Sequence, residues 1–318
     1  MENCQRRINF IIIFYYNGKI NRKRVFLSVV IRVYNSIETA KESVNSVVKE
    51  IENLYADRNL AKSFLLEDTV SEIICCNDGS TDGTANFLDG ISYKDFGSGK
   101  SDFIQIKVMH LKNSGAASAR NAGLRVCRGQ FIAFNDSDDK WLNGSLAKRL
   151  SILDAEPYAA CITANHERDV QRIPKLSKSS TQVNLFYITL NDELFKNYYT
   201  TQNSILKRKV IDDGIFFKEG MCYSEEIYFF CQMASKYKCL FLNEKMSESI
   251  LHKYRFGESG LSGNLFAMER GELKSLSIAH KELGVPFFKY IAACIYSVAK
   301  YFRRILIVKL RNSRRRVS

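Results

Sequence analysis

The sequence predicts an α/β fold in which a mostly parallel β-sheet is flanked by helices. Between residues 27 and 140, β-rich apolar runs alternate four times with segments whose apolar residues have helical spacing. The first of these runs, Leu27–Val33, is apolar on both faces, which is typical of a buried parallel strand. With 318 residues, of which 46% are hydrophobic, the chain can bury a substantial core as one continuous body.

The first half of the chain accounts for most of this pattern. The run Leu27–Val33 is rich in β-branched residues and ends at Tyr34 and Asn35, whereas Thr39–Leu54 carries its valine, isoleucine and leucine side chains at helical spacing. In chain order, the predicted strands and helices are Leu27–Val33, Thr39–Leu54, Glu72–Cys76, Thr84–Leu88, Ile104–Met109, Gly115–Val126 and Gln130–Phe134.

Beyond residue 140 the alternation weakens, which predicts a soft boundary there. We divide the chain into a basic N-terminal extension (1–24), a first half (25–140), a second half (141–285) and a basic amphipathic C-terminal helix with its tail (286–318). The later elements predicted are the helices Leu142–Leu153, Ser224–Ser235, 265–283 and Phe287–Leu310, and the strands Tyr158–Thr163, Tyr199–Leu206 and Ser249–Tyr254.

The net charge of +13 is concentrated at the two ends of the chain. Residues 1–24 sum to +5 and residues 299–318 to +8, which leaves residues 25–298 neutral. Domains that bind nucleic acid spread their basic residues over a folded face, so this distribution argues against nucleic acid as a partner. It fits a balanced globular body whose ends either face anionic lipid or are loosely solvated.

The cysteines and the apolar runs indicate where the protein works. The nine cysteines form no C-x-x-C pair, which excludes zinc-ribbon and thioredoxin-like sites and favours a reducing compartment. Asn9–Tyr16 has no small-residue cleavage site behind it, and Tyr290–Ala299 is too short to span a bilayer. We therefore expect a cytoplasmic protein or one peripheral to the inner face of the cell membrane.

Polar clusters follow the ends of predicted strands, where ligands bind to open parallel sheets. In the first, residues 77–83, Asp78 is placed to accept from a base N–H or a ribose hydroxyl, although such residues also form plain solvent turns. In the second, residues 113–123, Arg120 offers a fork of donors to a base carbonyl or a phosphate. The alternative for Arg120 is an ion pair with a neighbouring carboxylate.

The third cluster, residues 135–139, holds three carboxylates in four residues, which repel one another unless a cation compensates them. In an extended chain Asp136 and Asp138 would lie about 6–7 Å apart. That spacing allows one to contact a ribose or a metal while the other binds a Mg²⁺ or Mn²⁺ ion bridging two phosphates. The alternative is a solvated acidic helix cap before Trp141.

Together the clusters resemble one known family. The strings LSVVIRVYN, EIICCNDGSTDGT, NSGAASARNAG and FIAFNDSDD, over roughly residues 27–140, have the order and spacing of family 2 glycosyltransferases of GT-A fold. These are inverting, nucleotide-sugar-dependent enzymes of polysaccharide and lipid-linked glycan synthesis. Two residues depart from the family pattern: Arg32 stands where the family usually has proline, and Asn77 where it usually has aspartate.

The resemblance implies ligands for both halves of the chain. Residues 25–140 would bind a nucleotide sugar, expected to be UDP-linked, and residues 141–285 would bind the acceptor, a glycan or lipid-linked glycan. The group transferred would be hexosyl or N-acetylhexosaminyl. Asp136 and Asp138 would form a D-x-D motif, in which Asp138 binds Mn²⁺ or Mg²⁺. The implied nucleotide contacts are Val33, Tyr34, Asn35, Asp78, Arg120, Asp136 and Ser137.

The resemblance also implies a catalytic base at the start of a later helix. Where the family has a Glu-Asp pair, this chain has Ser224-Glu225-Glu226, followed by aromatic residues. Glu226 would be the base and Glu225 its supporting neighbour. The structural alternative is an acidic first turn with Ser224 as N-cap. The departures from the family pattern keep a non-catalytic nucleotide-sugar-binding protein as the alternative function.

Three further side chains and the C-terminal segment are candidates for binding. His252 is either a third metal ligand or a core histidine, and Arg255 resembles the family's basic residue at the diphosphate. Trp141 either stacks on a sugar or packs beside the acidic loop. The segment Phe287–Leu310 and the basic tail predict either an interfacial helix on anionic lipid or a helix packed on its own domain with a disordered basic end.

Overall fold

The computed structural model describes residues 15–16, 19–20, 23–91, 102–167, 184–252, 256–257 and 263–315. Its strands are β1 (Tyr15–Tyr16), β2 (Lys19–Ile20), β3 (Arg24–Val33), β4 (Thr69–Asn77), β5 (Ile104–His110), β6 (Phe131–Asp136), β7 (Asp139–Trp141), β8 (Ala159–His166), β9 (Leu185–Ile188), β10 (Ile205–Lys207) and β11 (Lys238–Ser249).

Ten α-helices lie in the described part of the chain. They are α1 (Ala40–Ala56), α2 (Arg58–Ser63), α3 (Thr84–Asp89), α4 (Ala116–Val126), α5 (Ser145–Ala155), α6 (Leu190–Phe195), α7 (Lys209–Asp212), α8 (Glu225–Lys236), α9 (Leu265–Glu282) and α10 (Phe287–Arg315). Among these same residues, no helix is both long enough and apolar enough to cross a membrane.

Nine strands form one sheet in the order β5-β4-β3-β6-β10-β8-β11-β7, with β9 paired to β11. The strands β5, β4, β3 and β6 are parallel, as the sequence predicts. β10 joins them to β8 through antiparallel pairs on both of its sides. β11 is parallel to β8 but antiparallel to β7 and β9. The predicted α/β class is confirmed, and the second half makes the sheet mixed rather than mostly parallel.

Helices cover both faces of the sheet, and the alternation of side chains along β3 shows why. Val29 and Ile31 pack in one core cluster with residues of α1 and α5. Val30 points the other way and packs with residues of α4 and α8. All three side chains are completely buried. The first of these clusters also contains Leu240 of β11, so the two halves of the chain share a core.

Two of the later strand predictions are wrong. The segment 199–206 forms a 3₁₀ turn, Thr201–Asn203, and only then the short strand β10. Thr200 Oγ1 donates to Ala164 O at 3.0 Å, which holds this turn against β8. Where Ser249–Tyr254 was expected to be a strand, β11 ends at Ser249 and the chain turns; residues 253–255 lie outside the described residues.

Neither β9 nor β11 was predicted from the sequence, although each contains a short apolar run. In β11 the apolar run ends at Leu242 and is followed by Asn243, Glu244 and Lys245. The pairing with β8 shifts register between Leu242 and Lys245 and again before Ser247. Such irregularities bend a strand and re-aim its side chains, which is how this polar stretch stays in the sheet.

Candidate active site

The ends of β3, β4 and β6 lie side by side, so the loops after them meet at one edge of the sheet. Val33, the last residue of β3, is in register with Asn77 of β4, and Arg32 is in register with Asp136 of β6. The polar clusters singled out in the sequence therefore come together, as the carboxyl ends of parallel strands must.

Asn35 connects the loop after β3 to the loop after β4. Its Oδ1 accepts a hydrogen bond from Thr81 N at 2.8 Å, and its backbone N donates to Ser80 Oγ at 2.9 Å. Its φ of 47° is left-handed, a conformation that asparagine tolerates better than most residues. Tyr34 beside it is partly buried, whereas the Val33 side chain is completely buried in the core.

Two serines connect the same region to the acidic loop after β6. Ser36 Oγ and Ser137 Oγ are 2.6 Å apart, and Ser43 Oγ of α1 donates to the backbone O of Asp136 at 3.0 Å. Asn135 Nδ2 donates in turn to Ser43 Oγ at 3.0 Å. Sequence reasoning missed Ser36 and Ser43. The one signal for Ser36 was a small polar side chain close behind a strand end, whereas Ser43 lies within α1.

Asp78 connects the first polar cluster to the second. Its Oδ1 accepts from Ser114 N at 2.9 Å and its Oδ2 from Gly115 N at 3.1 Å. The carboxylate is 1% exposed. Gly79 follows with a φ of 73°, and a Cβ there would lie 2.8 Å from Asn113 N. Asp78 thus holds the backbone directly before α4 in place. This role differs from the plain solvent turn that was its alternative.

Arg120 lies at the centre of the site and bridges two carboxylates. Its Nη2 is 2.7 Å from Asp136 Oδ1, and its Nη1 is 2.9 Å from Glu225 Oε1. Burial lowers the pKa of the guanidinium, but these carboxylates outweigh it and raise the pKa above its ordinary value. The sequence left Arg120 open between a donor ligand and an ion pair, and the structure places it in the ion pair.

Glu225 and Glu226 have different environments although they are neighbours. Glu225 is buried in its pair with Arg120, whereas Glu226 is half-buried. Burial and the charge of Glu225 raise the pKa of Glu226 to about 7. A carboxylate with a pKa near neutrality is suited to taking up a proton, which makes Glu226 the stronger candidate for a general base.

Ser224 places these two carboxylates, but not by the predicted N-cap. Its side chain makes no capping hydrogen bond to α8 and instead donates from Oγ to Met268 O at 3.2 Å. Its φ of 54° is left-handed, which is costly for serine. Ser275 Oγ donates to Ser224 O at 2.8 Å, so α9 holds this strained residue from two positions.

The acidic loop differs from the extended chain that the sequence suggested. β6 ends at Asp136, Ser137 and Asp138 form a turn, and β7 begins at Asp139. The spacing of about 6–7 Å expected for an extended segment therefore does not apply. The helix-cap alternative is also wrong, because a strand that pairs with β11 follows the loop.

Asp136 and Asp138 fit a divalent cation that takes part of its coordination from a ligand. Both are partly exposed at the strand end, and carboxylate oxygens suit Mg²⁺ and Mn²⁺. Among the described residues, no three His, Cys, Asp or Glu side chains are grouped to hold a metal by themselves. A site with two carboxylates is usual where diphosphate oxygens and water complete the shell.

Asp139 is set apart from its acidic neighbours. It is 4% exposed, and its Oδ1 lies 3.0 Å from Nε2 of His166 at the end of β8. Burial raises the pKa of Asp139 to about 6. The pair anchors the acidic loop to β8, so the third carboxylate of the cluster is structural. No sequence pattern connected His166 to this loop.

The remaining candidates are less central. His252 lies after β11 with a side chain 73% exposed, 3.9 Å from Glu167 Oε1, so the core-histidine alternative is wrong. Trp141 is 4% exposed, and its Nε1 donates to Gln202 O at 2.8 Å, which is the packing alternative. Arg255 lies outside the described residues.

The sequence of the site region can be compared with known families. Residues 28–215, more than half of the chain, match the profile of the family described as glycosyl transferase family 2. The chain belongs to glycosyl transferase family 2. This confirms the resemblance seen in the strand-end motifs and extends it beyond residue 140 into the second half.

Several curated glycosyltransferases align with this family 2 chain over part of their length. The Escherichia coli UDP-Glc:alpha-D-GlcNAc-diphosphoundecaprenol beta-1,3-glucosyltransferase WfaP is 32% identical over 130 residues, which are 41% of this chain and 42% of that enzyme. The putative teichuronic acid biosynthesis glycosyltransferase TuaG of Bacillus subtilis is 41% identical over 83 residues, 26% of this chain and 30% of TuaG. The chain thus spans less than half the length of these relatives.

Solved structures of similar fold confirm the GT-A architecture of this family 2 chain. S. aureus TarS 1-349 in complex with UDP matches with a TM-score of 0.56 and 17% identity, over 88% of this chain and 72% of TarS. The mannosyltransferase PcManGT from Pyrobaculum calidifontis, in complex with GDP-Man and Mn2+, matches with a TM-score of 0.58 and 14% identity, over 88% and 74%.

Proposed function

We propose that the protein transfers a sugar from a nucleoside diphosphate donor, a UDP-sugar by preference, to an acceptor hydroxyl with inversion at the anomeric carbon. The observation that carries this proposal is the bridge through Arg120, which joins the acidic loop at Asp136 to the start of α8 at Glu225, next to Glu226. A donor-binding loop beside a carboxylate of raised pKa is what a single displacement requires.

The donor nucleotide would lie along the ends of β3 and β4. Tyr34 and Asn35 would lie at the edge of the nucleotide. Asp78 would act on the nucleotide indirectly, by holding the loop before α4, and directly, through the carboxylate lone pairs that its bonds to Ser114 N and Gly115 N leave over. Arg120 would act on the donor through Asp136, because both sides of its guanidinium fork are engaged. The complexes of similarly folded proteins with UDP, UDP-GlcNAc and GDP-Man support a nucleoside diphosphate sugar.

Asp136 and Asp138, with Ser137 between them, would hold Mn²⁺ or Mg²⁺ against the donor diphosphate. When bound, such an ion supplies positive charge that stabilises the leaving diphosphate. The Mn2+ in the PcManGT complex supports this assignment. Ser43 contributes by fixing the backbone of Asp136, which keeps that carboxylate at the end of β6.

Glu226 would take the proton of the acceptor hydroxyl while the hydroxyl oxygen attacks the anomeric carbon. With a pKa of about 7 it is ionised in a large fraction of molecules at neutral pH and is a stronger base than an ordinary carboxylate. The charge of Glu225 contributes to that pKa, and the ion pair with Arg120 keeps Glu225 itself away from the acceptor.

The acceptor would be a glycan carried on lipid at the inner face of the cell membrane, and the group transferred a hexosyl or N-acetylhexosaminyl residue. The names of the relatives support this: WfaP acts on a diphosphoundecaprenol-linked sugar, and GgaA of Bacillus subtilis is a minor teichoic acid biosynthesis protein. The proposal concerns the class of acceptor, because the alignments cover less than half of these proteins.

Replacing Glu226 tests the assignment. Glu226→Gln should lower kcat about 10²- to 10⁴-fold while the donor Kd, measured by calorimetry with Mn²⁺, stays unchanged. The wild-type rate should fall tenfold per pH unit below pH 7, because protonation removes the base. Glu244→Gln is the matched control, since Glu244 pairs with Lys148 on the surface at 2.5 Å.

Two outcomes would contradict the proposal. Full turnover by the Glu226→Gln variant would reject Glu226 as the base while leaving the transferase assignment intact. Donor binding by the wild type without release of nucleoside diphosphate, across UDP-, GDP- and dTDP-sugars and a panel of acceptors, would favour the non-catalytic nucleotide-sugar-binding protein.

A further inference from the structure

Two charged residues of the C-terminal helix α10, Lys300 and Arg304, are turned inward. Lys300 Nζ is 2.5 Å from Glu272 Oε1, and Arg304 Nη2 is 2.8 Å from Glu272 Oε2. Ser297 Oγ donates to Glu269 Oε1 at 2.9 Å one turn earlier. Glu269 and Glu272 are buried on α9, so this polar seam fixes α10 to the body in one rotational setting.

The opposite face of α10 is apolar and exposed. Its large apolar side chains recur every three or four residues and are 37–70% exposed: Phe288, Ile291, Ile295, Val298, Phe302, Leu306 and Leu310. This apolar stripe is about 33 Å long at a rise of 1.5 Å per residue. A water-facing helix normally has the reverse polarity, so an exposed apolar stripe of this length marks an interaction surface.

The charge around the stripe identifies what covers it. Residues 283–318 contain nine lysines and arginines and no acidic residue. Arg303 and Lys309 are exposed beside the stripe, and Arg314 and Arg315 end the helix. A surface that is both apolar and negatively charged satisfies all of these side chains, and a bilayer containing anionic lipid has both properties.

We propose that α10 docks on an anionic membrane surface, with the apolar stripe inserted among the lipid acyl chains and the flanking basic residues at the headgroups. A second copy of this chain would also cover the stripe, but it would bring two strongly positive helices together without acidic residues on either. The membrane removes that repulsion, which is why we commit to it.

This docking would bring the candidate base close to the bilayer. The helix α9 pairs with α10 through Glu269 and Glu272, and it holds Ser224, directly before the two glutamates of α8, through Met268 and Ser275. One helix therefore separates the stripe from the start of α8. This consequence rests on the proposed transfer to a lipid-linked acceptor, whereas the docking does not.

Flotation of the full chain with lipid vesicles tests the docking. Wild type should float with vesicles of phosphatidylcholine and anionic phosphatidylglycerol, and far less with pure phosphatidylcholine or in high salt. The triple variant Ile295→Ser, Phe302→Ser and Leu306→Ser should lose at least tenfold in vesicle binding. Leu65→Ser, Tyr158→Ser and Phe266→Ser are the control, since these side chains are exposed elsewhere.

Circular dichroism and thermal melting show whether each variant is folded. The double variant Arg303→Gln, Lys309→Gln gives a second test, because it removes two flanking positive charges and leaves the apolar stripe unchanged. Equal flotation of wild type and the stripe variant overturns the proposal, as does wild type that never floats. A concentration-dependent dimer that the stripe variant abolishes, without vesicle binding, assigns the stripe to a second copy and also overturns it. The proposed function is tested separately, by measuring the release of nucleoside diphosphate in detergent-free buffer.

Discussion

At the scale of single residues, two arginines of the same helix differ in burial, which the sequence alone does not show. Arg120 and Arg125 lie on α4, and each is paired with a carboxylate within 3 Å. The side chain of Arg120 is 7% exposed and that of Arg125 is 57% exposed. An exposed pair gains little because water and salt screen it, whereas removing one partner of a buried pair leaves an uncompensated charge.

We therefore expect Arg120→Met to lower the free energy of unfolding by about 3–5 kcal/mol, because it strands Glu225 in the interior. Arg125→Met should change it by about 0–1 kcal/mol. Urea denaturation of both variants measures the difference. Arg120→Lys should recover part of the stability but not the activity, since one ammonium group cannot reproduce the forked contact to two carboxylates. Equal destabilisation by the two methionine variants would contradict this account.

The site residues show which roles can be predicted from sequence. The motifs located Asp78, Arg120, Asp136 and the Glu225-Glu226 pair because each lies in a polar cluster near the end of a predicted strand or at the start of a predicted helix. Their partners could not be predicted in the same way: Arg120 and Glu225 are 105 residues apart, and only the packing of α4 against α8 brings them together. His166 and Ser43 were missed for the same reason, because their role lies in a tertiary contact.

At the scale of elements, α9 is the support of the candidate base. It contacts Ser224 through Met268 and Ser275, and Gly271 lies between these two positions. A Cβ on Gly271 would be 2.4 Å from Tyr223 O and 2.8 Å from Tyr223 C. The absence of a side chain at this position therefore sets how closely α9 approaches the residues that place Glu225 and Glu226.

Gly271→Ala should displace the Tyr223–Ser224 backbone and lower kcat by about 10²-fold, since a shift of about 1 Å at reacting groups costs this much. The donor Kd should stay within about twofold, because the donor would bind at the strand ends across the site. Alanine is the better helix former by about 1 kcal/mol, so a loss of activity would not reflect a weaker helix. Lys274→Ala on the exposed side of α9 is the control. Unchanged kcat in the Gly271→Ala variant would show that α9 does not position the base.

The elements were predictable where a single periodicity extends through them. The strands β3, β4 and β6 contain continuous apolar runs buried between two helix layers, and these runs identified them. β10 has three residues, and β11 passes through register shifts at Lys245, so no window of sequence carries a clean alternation. Side-chain chemistry decided the segment 199–206, where the Thr200 hydroxyl donates to Ala164 O and a 3₁₀ turn takes the place of a strand.

At the scale of the whole molecule, the site connects elements from both halves of the chain, so ligand binding should stabilise the fold as a unit. The loops after β3, β4 and β6 are joined through Asn35 and Ser36, and Arg120 links them to α8. A ligand that binds these loops only when they are assembled favours the folded state in proportion to the logarithm of its concentration. Unfolding of either half would remove part of the site.

We expect UDP with Mn²⁺, at a hundredfold excess over its Kd, to add about 2.7 kcal/mol to the free energy of unfolding and to raise Tm by roughly 5 °C. Chelating the metal with EDTA should remove most of that rise. Asp138→Asn should likewise remove most of the rise in Tm at saturating Mn²⁺. It should not lower the Tm of the free protein, because Asp138 is partly exposed. Asp154→Asn, at an exposed carboxylate on α5, should keep the full metal-dependent rise. If Mn²⁺ raises the Tm of both variants equally in the presence of UDP, Asp138 does not hold the ion and the metal must bind elsewhere on the chain or only to the nucleotide.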